Sequence, residues 1–271
     1  MKLKNKTVFI TGGSRGIGRA IALKLASEGA NITIAAKSVK EDPRLGGTIF
    51  SVAEEIEKAG GKALPIQCDI RFEEQINSAV EKTVDTFGGI DVLINNASAI
   101  DLNNTEKLNS KKFDLMHQIN IRGTFLTGKA CLPHLKKSKQ AHILTLSPPL
   151  NLDRKWLKNH AAYTLSKYGM TMLTLGWAEE YKNQICANTL WPKTTIDTAA
   201  VRNLLGGEAL ANKSRKPQIV ADAVYFILTK TDQPYTGQSL IDEEVLTTAG
   251  IKDLDKYAVV KGEKLYTDLF L

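Results

Sequence analysis

Short apolar runs alternate with amphipathic stretches along most of the chain. The first, Thr7–Thr11, is rich in β-branched and aromatic residues and stops at a glycine-rich turn, which reads as a buried strand. "RAIALKLASEGA" follows with apolar residues at helical spacing and closes on Gly29. Further strands are predicted at 31–36, 63–70, 90–97, 141–147, 185–191 and 237–242. Between them, "TIFSVAEEIEKAGG" (48–61) sets Ile49, Val52, Ala53 and Ile56 on one helical face. Strands alternating with helices predict βαβ units with right-handed crossovers. The fold class is therefore α/β, a doubly wound parallel sheet of Rossmann type with about seven strands and helices on both faces. No repeat, low-complexity tract or linker interrupts the pattern, so residues 1–271 read as a single domain. In such sheets ligands bind beyond the carboxyl ends of the strands, so chemistry is sought there.

The first such position holds "TGGSRGIG" (11–18). Gly12, Gly16 and Gly18 let the backbone approach a ligand closely, and the helix that follows offers free N–H groups and partial positive charge to a phosphate. After the second strand, a site for NAD usually carries an acid for the ribose hydroxyls. Here the residues are "AAKS". Lys37, with Arg15 from the glycine turn, suits a 2′-phosphate and favours NADP; the bland alternative is a solvated loop lysine.

"AAYTLSKYGM" (161–170) places Tyr163 and Lys167 one helical turn apart on one face. A nearby ammonium lowers a phenol's pKa and suits the tyrosine to proton transfer at a carbonyl or alcohol oxygen. A second Y-x-x-x-K, formed by Tyr257 and Lys261, lacks a preceding strand and glycine turn and reads as structural. "LTLSPPLNL" (144–152) is a strand broken by two prolines. Ser147 at its end has two readings, a hydrogen-bond donor to substrate or a residue bonded only to its own turn.

Composition narrows the field. Of 271 residues, 43% are hydrophobic and 24% charged, as in globular domains. No apolar run reaches the roughly 18 residues of a membrane helix, and "MKLKNKTVFITGG" enters a strand without a signal-peptide core. The last residues, Asp268–Leu271, are not a peroxisomal signal, so the cytoplasm is the expected location. Cys68, Cys131 and Cys186 are scattered and no HExxH spacing occurs, so neither disulfides nor a metal site is expected. The net charge of +7 is dispersed rather than interleaved with aromatics, which argues against nucleic acid as a partner.

"TGGSRGIG", "NNAS" (95–98), Asn120 in "NIRGTF" and "YTLSK" (163–167) together resemble the short-chain dehydrogenase/reductase superfamily over about residues 5–245. The resemblance implies that Gly12, Ser14, Arg15, Gly16, Ile17 and Gly18 hold the dinucleotide phosphates, that Asp69 contacts adenine, and that Asn95 and Ala97 border its ribose. It implies Tyr163 as acid/base, Lys167 also on the nicotinamide ribose, Asn120 on a proton-relaying water and Ser147 on the substrate oxygen. Pro192, Ile196 and Thr198 would lie near the nicotinamide, and the helix through 170–181 would pair subunits in a homodimer or homotetramer.

The implied activity is NADP-dependent hydride transfer on a hydrophobic or lipid-like carbonyl/alcohol. The competing expectation is an NADP-binding sensor or scaffold without turnover. It is motivated by departures from the family pattern. Ser147 lies farther ahead of Tyr163 than usual, Pro148 falls where the serine is expected, Lys193 replaces a glycine after Pro192, and Glu243 and Glu244 replace glycines after the last strand.

Overall fold

The apolar runs pair side by side in the computed structural model, which describes residues 2–271. Strands β1 (Thr7–Thr11), β2 (Asn31–Ala36), β3 (Lys62–Gln67), β4 (Val92–Asn95), β5 (Ala141–Leu146), β6 (Ile185–Trp191) and β7 (Ser239–Ile241) form one sheet in the order β3-β2-β1-β4-β5-β6-β7. Every pairing is parallel. The order reverses between β1 and β4, which opens a crevice above their carboxyl ends. β1, β2, β4 and β5 are buried along their whole length because helices cover both faces, which is why they read as apolar runs rather than alternations. β3 is an edge, half-exposed, and tolerates Pro65 there.

Among the described residues the α-helices are α1 (Gly16–Ser27), α2 (Ile49–Lys58), α3 (Glu73–Phe87), α4 (Ser110–Met116), α5 (Thr124–Leu135), α6 (Lys155–Lys158), α7 (Ala161–Glu180), α8 (Gly207–Asn212), α9 (Gln218–Thr229) and α10 (Asp242–Thr248). Val8, Ile10, Ile32 and Ile34 pack on one layer with α1, α2, α9 and α10. Phe9, Leu93 and Ile143 point the other way, onto α3, α5 and α7. Each such fully enclosed side chain contributes about 1.5–3 kcal/mol relative to exposure.

Two close approaches fix α7. A Cβ on Gly128 would lie 2.4 Å from the Trp177 ring, and one on Gly169 would lie 2.7 Å from Ile121. α7 therefore sits hard against α5 and the π-helical stretch His117–Gly123 that precedes it. A π-helical turn inside an α-helix often marks a functional position, and this one carries Asn120.

Most strand boundaries fall within three residues of those expected. The differences matter at two sites: β4 ends at Asn95, and β5 ends at Leu146, where the Ser147 N–H turns back to the Thr145 carbonyl at 2.9 Å. Tyr257 is buried in a short 3-10 turn and donates to Asp222 Oδ2 at 2.6 Å, in keeping with a structural role for the second Y-x-x-x-K. Beyond it the chain returns across the mouth of the sheet and pairs antiparallel with the segment after β6, Thr267 opposite Thr194.

Candidate active site

The glycine turn is braced from below. Gly12 and Gly16 have φ of +67° and +53°, which few other residues adopt. The Asn96 amide donates to the carbonyls of Thr11 and Gly12, both at 3.0 Å, and a Cβ on Gly18 would lie 2.5 Å from that amide nitrogen. α1 begins here with no acidic residue in its first turn and no side-chain cap, so its N-terminus is free to meet an anion.

A cavity of about 310 Å³ runs from this turn across the ends of β2 and β3, lined by Gly12, Ser14, Arg15, Lys37, Asp69 and Ala97 among others. No acid stands at the end of β2. Arg15 reaches over it, donating to Ser38 Oγ at 2.6 Å and to the Gly46 carbonyl at 2.9 Å. Lys37 is largely exposed, with its Nζ 3.9 Å from Asp69 Oδ2. These residues fit a dinucleotide phosphate: close backbone, an uncapped helix end and two cations.

Asp69 is held by Arg71 through Nε at 3.0 Å and Nη2 at 2.6 Å. Burial pushes the Asp69 carboxyl up, but the Arg71 hydrogen bonds outweigh it and leave the group below its usual range. Asn95 departs from expectation. It is the last residue of β4 and its amide points to Thr145 Oγ1 at 3.4 Å, inside the sheet, whereas Asn96, Ala97 and Ser98 line the cavity. A one-residue difference in strand end inverts the direction of the side chain.

The second cavity, about 440 Å³, lies over the ends of β5 and β6. Its walls are mostly apolar: Ile17, Ile100, Leu102, Leu146, Trp191 and Leu210 are examples, and Pro192, Ile196 and Thr198 join them. Tyr163 lines it, buried on α7, and its phenol has no protein hydrogen-bond partner among the described residues. Lys167 lies one turn on, also buried; its Nζ donates to the Leu146 carbonyl at 2.6 Å and stands 5.2 Å over the Trp191 ring.

Burial disfavours charge on both residues. It pulls Lys167 down to about 7 against the opposing pull of Asp268, and it pushes the Tyr163 phenol up, with Asp268 adding to the rise. The expectation that Lys167 holds the phenol below its ordinary value is therefore not met in this arrangement; desolvation wins over charge attraction.

Ser147 is fully buried, and its Oγ accepts from Thr171 Oγ1 at 3.0 Å. It does not line the cavity; its neighbour Leu146 does. The same Thr171 hydroxyl also donates to the Pro148 carbonyl at 2.7 Å, so the proline turn is pinned to α7. Asn120 is buried and brings the crevice together: it exchanges hydrogen bonds with the Ala99 backbone at 2.8 and 2.9 Å and donates to Ser166 Oγ at 2.9 Å.

The chain's last residues supply what sequence reading missed. Phe270 is fully buried, its ring 5.3–6.2 Å by centroid from Trp156, His160, Tyr163, Tyr168 and Trp191. Trp191 Nε1 donates to the Leu269 carbonyl at 2.9 Å, and Asn151 to the Phe270 carbonyl at 3.0 Å. Asp268 and Leu269 thereby become part of the cavity wall with Tyr163. Asp242, buried at the start of α10, takes the N–H groups of Lys193 and Glu243 on one oxygen, both at 2.8 Å. No motif spacing marks these residues, since they reach the site by tertiary packing; Asn96 was within reach of "NNAS".

An enzyme with a dinucleotide crevice and a Tyr–Lys pair on the following helix is a short-chain dehydrogenase, and the chain belongs to that family, whose profile matches residues 6–208. The family binds nicotinamide cofactors and acts on small molecules. The chain is 60% identical over 270 residues to hydroxysteroid dehydrogenase-like protein 2 of Xenopus laevis, covering all of itself and 64% of that relative's length. A solved protein of Xanthomonas campestris, described as a dehydrogenase, shares 51% identity at a TM-score of 0.96, with 100% of this chain and 99% of that one covered. A metagenomic short-chain oxidoreductase solved with NADP shares 27% identity over 89% of this chain and 98% of its own, at a TM-score of 0.73. Among the described residues no helix is long and apolar enough to cross a membrane.

Proposed function

We propose that the chain catalyses NADP-dependent hydride transfer between nicotinamide and the carbonyl or alcohol carbon of a hydrophobic, lipid-like molecule. The observation that carries the reading is Tyr163: a buried phenol with no protein partner, facing an apolar cavity, with the Lys167 ammonium one turn away. The glycine turn and the α1 N-terminus hold the pyrophosphate. Arg15 and Lys37 favour a 2′-phosphate. Bound, the nicotinamide supplies or accepts the hydride.

Tyr163 gives a proton to the substrate oxygen in reduction or takes one in oxidation. Because burial raises its pKa, the phenol stays protonated at neutral pH, which suits carbonyl reduction. Lys167 orients the ribose side of the cofactor, Asn120 holds the loop at Ala99 in place, and Pro192, Ile196 and Thr198 form the nicotinamide wall. The apolar lining selects a hydrophobic substrate by area removed from water. Ser147, turned to Thr171, serves the proline turn.

The reading includes a cytoplasmic setting and a homodimer or homotetramer paired through α7, on which Leu165 and Met172 are 56% and 63% exposed. Tyr163→Phe tests the central assignment. Turnover on hydrophobic ketones and aldehydes with NADPH is expected to fall by about 10²–10⁴-fold, with NADPH affinity little changed. Unchanged turnover would remove Tyr163 from the reaction.

A further inference from the structure

The apolar cavity offers a substrate oxygen few polar partners. Thr195 Oγ1 is paired with Ser214 Oγ at 2.7 Å, and Trp191 Nε1 is committed to the Leu269 carbonyl. Ser147 points away to Thr171. Beside Tyr163, the polar side chains left in this wall are Thr198, whose Oγ1 accepts the Val201 N–H at 3.4 Å, the exposed Tyr266 and the half-buried Asp268, the one carboxyl among them. One of its oxygens accepts the Leu269 N–H at 2.8 Å; the other has no protein hydrogen-bond partner among the described residues. Its backbone is fixed, since its N–H donates to the Lys193 carbonyl at 3.1 Å and Phe270 is anchored two residues on.

We propose that Asp268 is a second hydrogen-bonding group of the catalytic centre, a carboxyl in the cavity wall that meets the substrate oxygen where Ser147 does not reach. The proposal rests on the oxidoreductase reading above and adds a residue to it. A charged carboxylate there would repel the negative charge that builds on the oxygen, whereas a neutral acid in an apolar pocket donates to it. Burial outweighs the groups that favour the charged form of Asp268. Burial, and after it Asp242 at the start of α10, push the carboxyl up, to about 7, while the Leu269 N–H and Lys167 on α7 oppose them; Tyr163 shares the wall, and Arg215 faces Asp242 rather than Asp268. In reduction the carbonyl carbon gains a hydride, its oxygen gains the Tyr163 proton, and Asp268 keeps its own proton throughout.

The test compares wild type, Asp268→Ala and Asp268→Asn. NADPH turnover is measured from about pH 5.5 to 8.5, a range that brackets neutrality, on a panel of medium-chain aldehydes, aryl ketones and 3-oxosteroids. Asp268→Ala is expected to lose about 10–10²-fold in kcat, with NADPH affinity within about twofold of wild type. Asp268→Asn, which keeps a donor and cannot ionise, is expected to recover most of that loss and to lack the fall in kcat that wild type shows as pH rises through neutrality. A readout independent of turnover is ¹³C NMR of labelled aspartate carboxyls, in which the signal missing from Asp268→Asn should titrate near neutral pH. Wild-type turnover with Asp268→Ala equal to it, or with both variants equally impaired, overturns the proposal and leaves the oxidoreductase reading standing. A carboxyl that titrates in the ordinary range near about 4 also overturns it. Wild type that binds NADPH but reduces nothing in the panel overturns the parent reading, and this one with it.

Discussion

The two cavities lie at the carboxyl ends of the same sheet, one at the glycine turn and one over β5 and β6, but handle charge in opposite ways. The one at the glycine turn leaves its charges in reach of water: Lys37 is largely exposed, Asp69 is tied to Arg71, and the helix end meets the ligand with backbone N–H groups. The one over β5 and β6 hides its charges. Tyr163 and Lys167 are buried on α7, Asp242 is buried at the start of α10 and Asp268 is half-buried in the wall, and burial drives each toward its neutral form. A phosphate is recognised by charges that stay solvated and cost little to maintain. A proton is moved by groups whose charged and neutral forms have been brought close in free energy, and this needs desolvation.

The contrast can be broken most strongly at Phe270, whose ring packs against Tyr163 and Trp191 and anchors the tail behind the wall that carries Asp268 and Leu269. Phe270→Ala is expected to lower stability by about 3–5 kcal/mol in chemical denaturation and to open the wall carrying Asp268, while leaving the geometry of the glycine turn in place. At the first cavity, Lys37→Ala should weaken NADPH binding about tenfold, leave NADH binding nearly unchanged, and lose its effect as salt rises. Titration by nicotinamide fluorescence reads both; equal losses for the two cofactors would show that Lys37 does not read the 2′-phosphate.

The hidden acids also shape stability against pH. Asp242 and Asp268 have folded pKa values raised to about 7, so between about pH 4 and 7 the folded protein holds protons that the unfolded chain has released. Their contribution to thermal stability therefore falls as pH rises through that window, against an opposite contribution from buried His142, lowered to about 4, and Asp268→Asn should remove its share of the fall. Lys167, lowered to about 7, acts above neutrality, where the unfolded chain binds the extra proton and stability from this group rises with pH. A Tm difference between wild type and Asp268→Asn that stays constant from about pH 4 to 7 would contradict the assignment. The smallest effect is expected at Ser147: Ser147→Ala should change kcat by less than about threefold, because its Oγ serves Thr171. A loss of about a hundredfold, the scale of a missing donor to the reacting oxygen, would return the serine to the centre.

The same division governs what the sequence makes legible. The glycine turn, the cations after β2 and the Tyr–Lys pair each lie within a few consecutive residues at a strand end or on a helix, so local spacing carries them. The doubly wound sheet is legible for the same reason, as strands buried on both faces leave unbroken apolar runs. Asp268, Trp191 and Phe270 come together only when the tail folds back onto the segment after β6. Asn95 shows the limit at finer scale: its motif was visible, but the residue that turns out of the strand is Asn96. Ser147 shows it again, because the proline turn and Thr171 decide where that hydroxyl points.

The central claim is that hydride passes to a carbonyl carbon in the second cavity while Tyr163 supplies the proton. The most direct measurement uses NADPH deuterated at either face of nicotinamide C4 with a panel of hydrophobic ketones and aldehydes, and mass spectrometry of the alcohol formed. The expected result is deuterium at the carbinol carbon from one of the two faces only, at a rate that collapses in Tyr163→Phe. Tight NADPH binding with no deuterium in any product would contradict the claim and leave a protein that binds the cofactor without using it.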